Sequence, residues 1–155
     1  MPNHCYNRVT ISARDGKEDQ FKKLVEIFES DTPFETLYPS PDWPNIPNKD
    51  GVLPELREMK RPDGTVFTTT YYFPDGTNDD RWYSWRVDNW GTKWEAYDQS
   101  EGDIDKECGY AEFTFNTAWA PAEGIYNAIV EKFPDVGISW FYDEPGCELA
   151  GYLPD

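Results

Sequence analysis

The sequence predicts an α+β fold, with amphipathic helices packed on an antiparallel sheet. Residues 109–117 alternate, placing Ala111, Phe113 and Phe115 on one side and Glu112, Thr114 and Asn116 on the other, as a half-buried strand does. Phe21, Leu24, Val25 and Phe28 recur at helical spacing and form one apolar stripe. With 7 Trp, 10 Tyr and 9 Phe in 155 residues, rings are expected to carry much of the core packing, although mean hydropathy is low. A disordered acidic chain is poor in such residues.

The elements follow in chain order. Residues 5–13 read as a strand, with Val9 and Ile11 opposed to Arg8, Thr10 and Ser12, and Asp15-Gly16 ends it. Residues 17–29 read as the helix bearing the first apolar stripe. From 31 to 54 prolines crowd the chain and remove ladder donors, so a long irregular connection is expected. Residues 55–60 and 65–73 flank Arg61-Pro62-Asp63-Gly64, a turn sequence, and read as a hairpin. Residues 79–90 read as a short helix, capped by Asp79 or Asp80 and stopped by Gly91. A strand is expected at 93–98, a polar acidic segment at 99–108, and the alternating strand at 109–117. Pro121 suits a helix start, with Ile125, Ile129, Val130 and Phe133 as its buried stripe. Strands at 136–143 and 147–153 close the chain around Glu144-Pro145-Gly146. With 31–92 set aside as an insert, the order is that of a ferredoxin-like sheet with two helices on one face. All 155 residues are expected to form one domain around that sheet.

Charge narrows the function classes. Thirty Asp and Glu against fourteen Lys and Arg leave a formal charge of −16. Such a surface repels phosphate, so direct binding to nucleic acid is not expected and a basic protein is the better partner. Cys5, Cys108 and Cys147 are widely spaced with no CxxC pair, which argues against a structural zinc. No segment has the length and apolarity of a membrane span, and the first residues lack a secretory pattern. A cytoplasmic protein without a cofactor is expected.

Three blocks carry a family resemblance: MPNHCYNRVTIS at the start, VDNWGTKWEAY at 87–97, and FTFNTAWAP at 113–121 followed by Phe133-Pro134. They resemble the YubB-type proteins of conjugative plasmids, prophages and phages, and the proline-containing 37–47 segment resembles that family's linker. The resemblance implies a ferredoxin-like domain and a mobile-element origin. It implies no reaction and no catalytic residues.

The most unusual local feature is Glu101-x-Asp103-x-Asp105-x-Glu107. In an extended strand these four carboxylates share one face at ~6.6 Å spacing, close to the ~6.8 Å rise of two phosphates along one DNA strand. Asp98 and Glu112 flank the run, and Asp143 and Glu144 join it if 136–143 pairs beside 109–117. The expected role is therefore non-enzymatic. The chain would inhibit a host defence nucleoprotein, such as a CRISPR effector or restriction nuclease, by occupying its nucleic-acid-binding surface. A solvated acidic loop is the plainer account of the same residues. A calcium loop fits poorly, because the glycine and the closing bidentate acid are missing. Trp82, Trp85, Trp90 and Trp94 with paired carboxylates offer a carbohydrate-binding or hydrolytic alternative. A scaffold that binds by its sheet edge or the 37–47 segment is a third. His4-Cys5 is the only His–Cys neighbourhood in sequence, and buried inert cysteine is the ordinary state.

Overall fold

The structure is a computed structural model that describes residues 3–154; Met1 and Pro2, the first two residues of the opening block, lie outside that range. The chain divides into two compact units, one comprising residues up to Pro39 and from Arg86 onward, the other Ser40–Trp85.

Unit 1 contains β1 (His4–Ala13), α1 (Glu18–Glu29), α2 (Pro33–Leu37), β4 (Tyr97–Asp105), β5 (Tyr110–Ala118), α4 (Glu123–Lys132), β6 (Val136–Glu144) and β7 (Leu149–Leu153). Unit 2 contains β2 (Glu55–Lys60) and β3 (Val66–Tyr72), and α3 (Arg81–Asn89) begins in it and ends in unit 1. The sheet of unit 1 runs β4-β5-β1-β6-β7, with every neighbouring pair antiparallel.

Alternation fixes which side of each strand is buried. Cys5, Asn7, Val9 and Ile11 of β1 are buried between less buried neighbours, and so are Ala111, Phe113 and Phe115 of β5. Val9 lies opposite Phe113 on one side and Trp140 on the other, so these side chains share one face. Phe28 of α1 stacks on Phe113 at 5.5 Å between centroids and on Phe115 at 6.1 Å. Tyr126 of α4 meets Trp140 edge-on at 6.4 Å, and Trp140 meets Phe115 at 5.6 Å. Phe34 of α2 joins the cluster between Phe115 and Trp90. Buried indoles carry a polar N–H that needs an acceptor. Trp140 Nε1 donates to Asn7 Oδ1 and Trp90 Nε1 to the Tyr38 carbonyl, each at 2.9 Å.

Three expectations are corrected here. The 31–54 segment contains a helix, α2: Pro33 stands in its first turn, and Phe34 and Leu37, three apart, are buried. The strand expected at 93–98 starts only at Tyr97 and runs on to Asp105, through the segment read as a polar connection. Thr92 and Glu95 hold the preceding residues off the ladder: Thr92 Oγ1 donates to the Ala118 carbonyl at 2.9 Å, and Glu95 turns toward α2. Val130 is 46% exposed and Ala128 takes its place on the buried stripe of α4.

The block at 87–97 and the block at 113–121 meet in space. Gly91 adopts φ +89° and its N–H returns to the Arg86 carbonyl, which ends α3. A β-carbon at Gly91 would lie 3.0 Å from the Glu123 nitrogen. Gly124 packs closer still, with its N–H donating to the Trp90 carbonyl at 3.0 Å.

Unit 2 has a small core. Pro54, Phe73 and Asp79 are its buried residues among those described. Arg81 organises it: its guanidinium takes both carboxylate oxygens of Asp79 at 2.8 and 3.0 Å, donates to the carbonyls of Trp43 and Pro47, and lies over the rings of Trp43 and Phe73.

Candidate functional site

The side of the unit 1 sheet opposite the aromatic cluster carries Tyr6, Arg8 and Thr10 from β1, Tyr110, Glu112, Thr114 and Asn116 from β5, and Ser139, Phe141 and Asp143 from β6. Tyr6 and Tyr110 are each 39% exposed and Tyr152 of β7 is 55% exposed. Arg8 lies over the Phe141 ring at 5.1 Å, and Phe141 meets Tyr152 edge-on.

Edge strand β4 decides where the acidic run goes, and it is not a regular strand. Its register against β5 shifts between Tyr97 and Ser100 and again between Glu101 and Ile104. Each shift is a β-bulge, where one extra residue resets the alternation. Asp98 sits in the first with φ +51°, a conformation Asp tolerates better than most residues. Its Oδ2 accepts from Asn116 Nδ2 at 3.2 Å.

The expectation that Glu101, Asp103, Asp105 and Glu107 share one face is therefore corrected. Glu101 lies opposite Phe113, on the aromatic side of the sheet, whereas Asp105 lies opposite Tyr110, on the open side. Asp103 occupies the second bulge, close enough to Tyr110 for its charge to act on the phenol. Glu107 is not in the strand at all but in the turn at 106–109. Asp105 Oδ1 accepts the N–H groups of Glu107 and Cys108, which closes that turn and holds the Asp105 carboxyl below its usual range.

The flanking residues separate in the same way. Glu112 is on the open face, where its Oε2 accepts from the Tyr110 hydroxyl at 3.3 Å. Burial and then the Glu112 charge raise the Tyr110 pKa. The expected pairing of 136–143 beside 109–117 is corrected, because β1 lies between β6 and β5. Asp143 is on the open face beside Tyr6, one strand removed from β5, but Glu144 is 1% exposed, and its carboxylate takes the N–H groups of Gly146 and Cys147. Glu144 thus braces the β6–β7 turn, and its placement among surface carboxylates is corrected. The open face gathers Asp98, Asp103, Asp105, Glu112 and Asp143.

Glu95 has a role the sequence reading did not see. Its Oε1 accepts from Phe34 N at 2.8 Å and Ala96 N at 3.1 Å, and its Oε2 from Glu35 N at 2.9 Å. It caps the start of α2 from 60 residues away, and burial raises its pKa in spite of these donors. The signal was present only as a carboxylate inside the 87–97 block.

Other candidates resolve simply. His4 and Cys5 point to opposite sides of β1. His4 Nδ1 shares a hydrogen bond with the Tyr97 hydroxyl, while burial pushes the Cys5 thiol up to about 11. Trp90 is fully buried and Trp94 is 37% exposed beneath Lys93, so the four indoles of the carbohydrate reading do not form one exposed platform. In the 37–47 segment, Leu37 is buried in unit 1 and the Trp43 and Pro47 carbonyls serve Arg81 in unit 2. No helix among the described residues is long and apolar enough to cross a membrane.

Residues 89–153 match the family described as "Ferredoxin-like domain in Api92-like protein". The match supports a ferredoxin-like domain. It takes in β4, β5, α4, β6 and β7, while β1 and α1, which complete the β-α-β-β-α-β order, precede it. No curated protein and no solved structure matches the chain.

Proposed function

We propose that the chain is a non-catalytic binding protein of a phage or plasmid, whose open sheet face takes the basic, nucleic-acid-binding surface of a host defence complex. A CRISPR effector or a restriction nuclease is the kind of target this chemistry fits, and the host cytoplasm is where it would be met. The carrying observation is the gathering of Asp98, Asp103, Asp105 and Glu112 along the β4–β5 border of that face. The resemblance of the three sequence blocks to YubB-type proteins supplies the mobile-element setting.

Bulging alters the basis of the mimicry without removing it. From the position of Asn116 to that of Tyr110 the border extends ~20 Å at ~3.3 Å per residue. Its carboxylates stand near both ends and near Glu112, rather than as an even row. This fits a patch of Arg and Lys better than the strict repeat of a phosphate backbone. Such patches steer association, so binding should be fast and lost at high salt.

The test is affinity capture from a host lysate, with low-salt and high-salt washes and with duplex DNA as competitor. A DNA-handling complex that is released by salt, displaced by DNA and not captured by Asp103→Lys/Asp105→Lys is the expected result. Equal capture by the wild type and that double variant overturns the proposal.

A further inference from the structure

We infer that a cleft on the other side of β4 seats one arginine or lysine side chain of that basic partner. The inference rests on the reading of the partner as a basic protein and adds where its anchoring side chain goes. The cleft lies between the end of α1 and the β4–β5 pair and measures about 200 Å³. It is lined by Phe28, Phe113 and Phe115, each no more than 3% exposed, and by the carboxylates of Glu29, Asp31 and Glu101.

Size selects the occupant first. Sites for drug-sized ligands run from about 300 to 1,000 Å³, so this cleft suits a single long side chain better than a nucleotide or an oligosaccharide. Chemistry selects it next. Arginine and lysine lay an apolar stem along apolar surface and keep a charged head beside carboxylates. The end of α1 adds to the pull. A helix C-terminus carries partial negative charge, and the last turn of α1 holds no basic residue to offset it. Gln99 Nε2 donates to the Ser30 carbonyl at 3.0 Å and ties β4 to this helix end, so the walls are held in place. One of these carboxylates already holds an ammonium, since Lys106 Nζ lies 3.5 Å from Glu29 Oε1 on an exposed side chain that a partner can displace. Glu101, which the first bulge turns away from the open face, thereby gains a role that the even acidic row did not give it.

The experiment titrates N-acetyl-arginine amide into the isotope-labelled full chain and follows resonances of Gln99, Ser100, Glu101 and the three phenylalanine rings. N-acetyl-citrulline amide, of the same shape without charge, is the control. Saturable shifts with arginine and none with citrulline are expected. Asp31→Asn and Glu101→Gln should each weaken binding about two- to five-fold, and Lys106→Gln should tighten it by freeing Glu29. Asp103→Asn on the open face should leave it unchanged. Equal shifts with citrulline, or equal loss from the open-face variant, overturn the inference. If the arginine probe seats as expected but the chain captures no basic complex, the proposed function fails and the cleft stands. If capture by the wild type is matched by Asp31→Asn/Glu101→Gln, the cleft is not the anchor and the open-face reading stands.

Discussion

Arg81 shows how much one side chain can organise. Its two bonds to Asp79 have a fork geometry that lysine cannot reproduce, and two rings and two carbonyls complete its surroundings. Arg81→Lys should destabilise unit 2 by about 2–3 kcal/mol, because a mostly buried Asp79 loses its partner. Hydrogen exchange should show faster opening of residues 40–85 with the sheet of unit 1 unaffected; unchanged protection in unit 2 would refute this. Asp79 is also held below its usual pKa by the Arg81 hydrogen bond. Its contribution is present above the unfolded value of 3.8 and is lost as pH falls through the lowered one. Glu95 has the opposite sign. Burial raises its pKa above 4.5, so the folded state holds the proton more tightly, and stability declines as pH rises between the two values. In urea unfolding across mildly acidic pH, the wild type should lose stability relative to Glu95→Gln as pH rises. A wild-type advantage over Glu95→Gln that grows as pH rises would show that the three N–H donors outweigh burial. Gly124 is a tight point of another kind, since a β-carbon there would stand 1.7 Å from the Asn89 carbonyl oxygen. Gly124→Ala should cost about 2–3 kcal/mol, a fall of roughly 5–10 °C in the unfolding midpoint for a chain of this size.

At the level of elements, β4 has a structural role besides any partner. It is an edge strand of the unit 1 sheet, and an edge presents unpaired N–H and C=O groups that invite another chain. Two bulges and a run of carboxylates are common ways to prevent that pairing. The acidic run therefore has a physical reason to exist even where it binds nothing. Deleting Gly102 should restore regular alternation across the second bulge and straighten the edge. Sedimentation should then show more concentration-dependent self-association than the wild type does. A deletion variant that associates no more than the wild type would mean that charge alone guards the edge. The β2–β3 hairpin is the other exposed ribbon, with Leu56 and Phe67 each at least half exposed. Two strands alone are marginal, so its order leans on the rest of unit 2, where Arg81 is central.

For the whole molecule, the −16 charge makes salt act in opposite directions on stability and on binding. Repulsion among thirty carboxylates disfavours the compact state. Shortening the Debye length from about 30 Å to about 3 Å with salt should raise the unfolding midpoint. The same change should weaken capture of a basic partner. A midpoint that falls with salt would show that ion pairs outweigh the repulsion. Two of the ion pairs among the described residues, Lys17–Asp135 and Lys106–Glu29, involve largely exposed ammonium groups of small individual value, and the third, Arg81–Asp79, is mostly buried and so little screened by salt.

Periodicity located β1, α1, β5 and the stripe of α4, and turn residues located the hairpin and β6, because alternation, the 3.6-residue stripe and turn chemistry are imposed by backbone geometry and written in neighbouring residues. The 87–97 block was legible as a helix stop at Gly91 for the same local reason. Other features depend on residues far apart in the chain, and no local pattern announces them. The length of β4 is set by its pairing with β5, α2 by a carboxylate 60 residues away, and the burial of Glu144 by the turn it braces. The acidic run shows the division most clearly. Its composition stands in the sequence, but a period of two becomes a shared face only where pairing is regular. The bulges at 98–99 and 102–103 send Glu101 and Asp105 to opposite sides of the sheet. Charge is a property of residues, whereas the face that presents it is decided by the neighbouring strand.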